Sequence, residues 1–147
     1  MAWATAAGSA DRSPDNSPQQ VVLSGARSSL PAAVAHAKEL GLRGMELDVS
    51  GAFHSPMMAS AVPEFSAALE QTDFAPPRVP VISTVTARPF EDPRRELADA
   101  LTMPVRWRET MLALHELGAA RFVETGPGRV LTGLAKRTLA DVELVNA

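Results

Sequence analysis

The sequence contains no cysteine. That excludes disulfides, thiolate catalysis and cysteine-ligated metal sites, although it does not fix the compartment. It also lacks an excess of positive charge: the formal net charge is −3, so no global basic field is available to hold a nucleic acid. No apolar run approaches the roughly 18–20 residues that a membrane-spanning helix needs. The opening residues Met1-Ala2-Trp3-Ala4-Thr5-Ala6-Ala7 have neither the positive n-region nor the long apolar core of a secretory signal. These absences point to a cytoplasmic protein with no nucleic-acid or membrane partner. What is present is ordinary for one globular domain with a real core: 147 residues, 46% of them hydrophobic and 21% charged.

Several kinds of chemistry lack their residues. His36, His54 and His115 fall in separate predicted elements without ligand spacing, so no metal site is expected. Gly126-Pro127-Gly128 could present backbone N–H groups to an anion, but it lacks the further glycines and the lysine of a nucleotide-binding loop. A structural strand-to-helix turn is its commoner meaning. No Gly-x-Ser-x-Gly elbow occurs anywhere, so no serine is presented as a nucleophile.

The patterning is that of alternating strands and helices. Residues 1–15, rich in Ala, Ser, Gly and Asp, read as a poorly ordered leader. Asn16-Ser17-Pro18 is a turn signal, Gln20–Gly25 a short strand, and 28–40 a helix capped by Ser28 or Ser29 with Ala33, Val34, Ala37 and Leu40 on its apolar face. Gly41 and Gly44 close that helix ahead of a strand over 44–49, giving β-α-β in the first third. A helix runs from Ser55 to about Gln71, with a kink or restart expected at Pro63. A strand over 79–86, a short helix near 94–101, a helix over 107–117 stopped by Gly118, a strand over 120–124, a helix over 130–139 and a last strand over 141–145 complete the chain. The strands are expected to be parallel and joined by helices.

His54 is the most informative residue. The run Gly44-Met45-Glu46-Leu47-Asp48-Val49 alternates like a half-buried strand. Ser55 followed by Pro56 reads as N-cap and first helical residue. His54 is thereby placed where a strand hands over to a helix, a position where open α/β sheets put their chemistry, and it is a candidate general base. Position alone favours a structural histidine.

Four segments, taken in order, resemble the C-terminal half of malonyl-CoA:acyl carrier protein transacylases. They are Asn16–Gly25 (Asn-Ser-Pro-Gln-Gln-Val-Val-Leu-Ser-Gly), Leu47–Met58 (Leu-Asp-Val-Ser-Gly-Ala-Phe-His-Ser-Pro-Met-Met), Pro104-Val105-Arg106-Trp107, and Phe122–Leu134 with its Glu124-Thr125-Gly126-Pro127-Gly128 core. The resemblance implies ping-pong transfer of malonyl from coenzyme A to the phosphopantetheine thiol of an acyl carrier protein, through an acyl-serine and with no bound cofactor. It implies that His54 is the catalytic base. Phe53 is implied in selecting malonyl over branched acyl groups, its ring filling the space that an α-methyl group would need, and Asn16 lies near the site rim. It further implies that a backbone carbonyl orients His54. The family's residue there, commonly glutamine, is Ala100 in this sequence, and alanine preserves a main-chain interaction.

The same resemblance defines what this sequence does not contain. Family members run to about twice its length, and their N-terminal half carries the oxyanion loop, the Gly-His-Ser-x-Gly elbow and the malonyl-binding arginine. Arg106, Arg129 and Arg137 do not match that arginine. Lys136 and Arg137 could meet an acidic carrier protein, though a solvated helix end is the commoner reading. The expected fold class is therefore α/β. It comprises the C-terminal part of an acyltransferase, α/β-hydrolase-like core over 50–147, preceded by half of a ferredoxin-like subdomain over 16–49. Sheets without their N-terminal strands would have open edges and exposed apolar faces, so the isolated chain is expected to be marginally stable, to associate with itself or to need a separate N-terminal half, and to be inactive alone. The competing expectation is a non-catalytic remnant or carrier-protein-binding module of the same fold.

Overall fold

A computed structural model describes residues 11–147, with side chains from residue 16 onward. The first elements form an antiparallel hairpin of β1 (Asp11–Ser17) and β2 (Gln20–Ser24). Pro18-Gln19 makes the turn, and the Ser17 hydroxyl accepts the Gln19 N–H at 3.3 Å. The backbone of 11–15, expected in a leader, is thus paired strand, whereas residues 1–10 of that expected leader lie outside the described residues. Helix α1 (Leu30–Glu39) follows, burying Leu30, Ala33 and Ala37 while Leu40 stays exposed. Ser29 stands at its N-cap position but does not cap it: its hydroxyl donates to the Ala26 carbonyl at 2.7 Å. The helix ends where Gly41 turns to φ 72°, which lets Leu42 N–H reach the Ala37 carbonyl at 2.8 Å and Gly41 N–H that of Lys38 at 3.0 Å.

The strand expected over 44–49 does not form. The segment is irregular, and the Val49 N–H turns back to the Leu47 carbonyl at 3.1 Å instead of joining a ladder. Its alternation survives only in burial, with Leu47 and Val49 half-buried and Met45, Glu46 and Asp48 exposed. A period-2 pattern specifies two faces, but a strand also needs a partner for its backbone groups, and no described strand pairs with this one. The first third is accordingly β-β-α and not β-α-β.

After the His54 turn, residues 56–61 form a 3-10 segment and α2 (Val62–Glu70) restarts with Pro63 in its first turn, as the proline dictates. The strand expected over 79–86 shrinks to β3 (Ile82–Ser83), paired with β4 (Arg88–Pro89). Residues 84–87 form a turn instead, with Ala87 at φ 56°. Helix α3 (Pro93–Asp99) is capped by Asp92, whose carboxylate accepts the Arg95 N–H at 3.1 Å. Helix α4 (Trp107–Glu116) leads to β5 (Arg121–Glu124), α5 (Val130–Thr138) and β6 (Glu143–Asn146).

Among the described strands only β5 and β6 pair in parallel, in the register Arg121–Glu143 to Glu124–Asn146, joined through α5 as a β-α-β unit. The apolar core gathers here: Met111, Ala135 and Leu139 are buried, with Trp107, Leu114, Phe122, Val142 and Leu144 packed against them. Helices α4 and α5 also lie against β1, which joins the hairpin to this core. Many large apolar side chains remain exposed, among them Leu42, Met45, Met57, Val79 and Val130. No helix among the described residues is long and apolar enough to cross a membrane.

Candidate active site

The site is built on a turn of four residues, Ala52 to Ser55. Ala52 and Ser55 are buried, Phe53 is exposed and His54 is half-buried. His54 has φ 59°, a left-handed conformation that a side chain with a Cβ seldom takes and that costs of order 1–3 kcal/mol. Such a conformation persists only where its surroundings enforce it, and four hydrogen bonds do so here. The Ser55 hydroxyl donates to the Ala52 carbonyl at 2.7 Å and accepts the Met57 N–H at 3.3 Å, closing the turn and capping the segment after it. The Ser24 hydroxyl, at the end of β2, donates to the Phe53 carbonyl at 3.2 Å. Finally, the His54 ring is held from the far side.

That last contact joins His54 Nδ1 to the carbonyl oxygen of Ala100 at 2.6 Å. A carbonyl can only accept, so Nδ1 carries the proton and, in the neutral ring, Nε2 presents a lone pair. Ala100 is the C-cap of α3, where helical carbonyls lack an intrahelical partner and the helix carries partial negative charge. The carbonyl is therefore available to hold the Nδ1–H.

The remaining sequence-singled residues divide. Phe53 is 41% exposed, and its ring lies across Gly51, where a Cβ would meet Phe53 Cζ at 3.0 Å. Asn16 is half-buried in β1, beside the turn of the hairpin. The hairpin residue bonded to the His54 turn is Ser24, which sequence reasoning did not single out; a lone serine at a strand end gives no signal of a partner 29 residues away. His36 sits beside the Glu39 carboxylate at 3.2 Å, and exposed His115 beside the Ala119 carbonyl at 3.2 Å, both at helix C-termini. Lys136 and Arg137 are exposed, and Arg137 donates to the Gln20 side chain at 3.2 Å.

The Gly126-Pro127-Gly128 turn leads into α5, but the anion at that helix start is already supplied. Glu124 accepts N–H groups from Leu131 and Thr132 at 2.9 and 2.7 Å, the Thr132 hydroxyl at 2.6 Å and the Asn146 amide at 3.2 Å. The Thr132 hydroxyl and backbone N–H lead in holding its carboxyl down to about 2. The turn is structural.

The family model for the acyl transferase domain matches residues 12–147. The chain belongs to the acyl transferase family. It is 45% identical over 135 residues to a malonyl CoA-acyl carrier protein transacylase of Synechocystis sp., covering 90% of this chain and 45% of that one. It is 39% identical over 132 residues to a polyketide biosynthesis malonyl CoA-acyl carrier protein transacylase of Bacillus subtilis, covering 87% and 46%. Among solved structures, a malonyl-transacylase in complex with a type II polyketide synthase acyl-carrier protein superposes with a TM-score of 0.89 at 33% identity, over 95% of this chain and 46% of that one. The α/β acyl transferase fold is therefore shared. The chain spans about half the length of the relatives it matches.

Proposed function

We propose that this chain supplies the general base of an acyl transferase that moves malonyl from coenzyme A to an acyl carrier protein in fatty-acid or polyketide synthesis. The observation that carries this reading is the His54 Nδ1 contact with the Ala100 carbonyl at 2.6 Å. It fixes the tautomer that puts the proton on Nδ1 and the lone pair on Nε2, on a ring whose backbone is held in a strained turn. The kinship with malonyl transacylases supplies the reaction class.

In the first half-reaction, His54 Nε2 takes the proton of a serine hydroxyl as its oxygen attacks the malonyl thioester carbonyl. The imidazolium returns that proton to the sulfur of coenzyme A as the carbon–sulfur bond breaks. In the second, Nε2 takes the proton of the carrier's phosphopantetheine thiol. The thiolate attacks the acyl-serine, and the proton goes back to the serine oxygen. These 147 residues hold no nucleophile elbow, so the serine belongs to a segment outside this sequence, and the chain alone should not acylate itself. Phe53 beside the base would narrow the space at the malonyl α-carbon, and Asn16 would line the rim. Residues 16–49, with their hairpin, α1 and the unpaired 44–49 segment, would form half of a ferredoxin-like subdomain. The chain would act in the cytoplasm.

The test is complementation. The chain is co-purified with the N-terminal half of the Synechocystis sp. relative, the part outside the matched region, and malonyl transfer to a carrier protein is followed by intact mass. Transfer that disappears with His54→Ala is expected. Carrier binding without transfer in any pairing would refute the base and favour a carrier-binding module. A stable malonyl adduct on this chain alone would reveal an overlooked nucleophile.

A further inference from the structure

The carbonyl that holds His54 is delivered by α3, a helix of 7 residues. A helix this short has little stability of its own and takes its position from tertiary contacts. Two side chains in its first turns, Arg94 and Glu96, make those contacts.

Glu96 is 3% exposed. Its Oε1 accepts the N–H groups of Glu91 and Asp92 at 3.0 and 3.3 Å, and its Oε2 accepts the Thr86 hydroxyl at 3.4 Å. Burial alone would push its carboxyl up, but these bonds and one from Ser83 hold it below the ordinary value, so it stays an acceptor-only carboxylate. It ties α3 to the β3–β4 turn. That turn is itself fastened to α4: Arg106 N–H reaches the Thr84 carbonyl at 2.8 Å, and the Arg106 guanidinium reaches that of Thr86 at 2.9 Å.

Arg94 ties the same helix to α2. Its Nε donates to the Leu69 carbonyl at 3.0 Å and its Nη2 to the Thr72 carbonyl at 2.6 Å, with the guanidinium 5.1 Å from the centre of the Phe74 ring. These carbonyls lie in the last turn of α2 and just beyond it, where a cation is favoured. A circuit results. From His54 the chain runs through the 3-10 segment and α2 to Leu69, across Arg94 into α3, along α3 to Ala100, and back to the imidazole. Among the described residues it is closed by hydrogen bonds at Arg94 and at His54 itself.

Hydrogen bonds of this kind operate over about 2.7–3.2 Å and weaken steeply once misaligned. A shift of α3 against α2 by about 1 Å would therefore take the Ala100 carbonyl out of range of Nδ1. We propose that Arg94 and Glu96 are positioning residues that set the tautomer of His54 by fixing α3 between α2 and the β3–β4 turn. The purpose of that tautomer rests on His54 being the base, but the tautomer itself can be read without any transfer.

The experiment is nitrogen-15 NMR of the His54 ring in the 147-residue chain at pH about 9, where imidazole is neutral. His54→Gln assigns the signals. The unaltered chain is expected to carry its proton on Nδ1. Arg94→Met and Glu96→Leu each keep the bulk of the side chain, and each is expected to lower the ratio of Nδ1–H to Nε2–H by roughly fivefold, the equivalent of one net hydrogen bond. Leu134→Ala, in the core of α5, should destabilise the chain without moving the ratio, which separates positioning from general loosening. Should the first two variants not fold, Arg94→Lys, which keeps the charge but loses the two-pronged grip, is expected to lower the ratio by about twofold, while Glu96→Gln retains it. Unchanged tautomers in Arg94→Met and Glu96→Leu, or in Arg94→Lys where it replaces them, would overturn the proposal alone. A proton on Nε2 in the unaltered chain would overturn it together with the base.

Discussion

His54 Nδ1 and the Ala100 carbonyl oxygen are 2.6 Å apart across 46 residues of sequence. The contact belongs to the backbone of residue 100, so the side chain there should not matter. Ala100→Gln is expected to leave the His54 tautomer unchanged in the nitrogen-15 spectrum. Its effect on the denaturation midpoint should be within about 0.5 kcal/mol, as for most substitutions that break no named contact.

Ser55 works on both sides of its hydroxyl, donating to Ala52 and accepting from Met57 while only 2% exposed. Ser55→Ala removes a cap and strips a buried carbonyl of its donor, and should cost about 1–3 kcal/mol. Ser55→Thr should retain most of that stability. Urea denaturation of the three chains measures both, and equal midpoints for Ser55→Ala and the unaltered chain would contradict the role.

Glu124 gives the protein an acid-sensitive joint. Its folded value of about 2 lies below the usual 4.5, so the folded state holds that proton less tightly than the unfolded state does. The stability it contributes is fully present above about pH 4.5 and is lost as pH falls through that value toward 2. Glu124→Gln should lower stability at neutral pH and flatten this part of the acid titration. Denaturant midpoints compared between pH 6 and pH 2.5 give the result, and parallel curves for the two proteins would refute it.

Phe53 predicts selectivity in the complemented enzyme. Phe53→Ser should raise the kcat/KM for an α-methylated malonyl thioester relative to malonyl by about tenfold or more, the scale set by one buried methyl group. Gly51→Ala should act in the same direction more weakly, because its Cβ would press the Phe53 ring aside from 3.0 Å. An unaltered ratio in both would assign the ring to packing.

Arg106 donates to two carbonyls of the β3–β4 turn, at 2.9 and 3.5 Å, and pairs with Glu109. The pair is partly exposed, so its charge contributes little. The fork geometry contributes more, and Arg106→Lys should cost about 1 kcal/mol by losing it. Thermal unfolding compared with Arg106→Gln would show whether charge or geometry dominates.

The elements that were legible in the sequence carry their signals locally. Ser55-Pro56 and the restart at Pro63 fall where the caps and the missing proline N–H require. Gly118 ends α4 at φ 94°, and the β5–α5–β6 unit matches its periodicity. Helix α3 starts at Pro93, one residue before the expected start at 94, and its Asp92 cap was not read from the sequence. The strands over 44–49 and 79–86 misled for one reason: alternation and β-branching describe faces, while a strand exists only where a neighbour accepts its backbone.

By itself the sequence determined the Ser55 cap, the turn that carries His54, the order of the helices and, through four ordered segments, the kinship. These depend on side chains acting within a few residues, or on patterns preserved along the chain. Which atom holds the imidazole was decided by tertiary structure. Every residue has a carbonyl, so no composition or spacing distinguishes that of Ala100; only the resemblance pointed to it. The packing of α3 between α2, met by Arg94, and the β3–β4 turn, met by Glu96, places that one carbonyl at Nδ1. The same long-range pairing rule left 44–49 outside any described sheet.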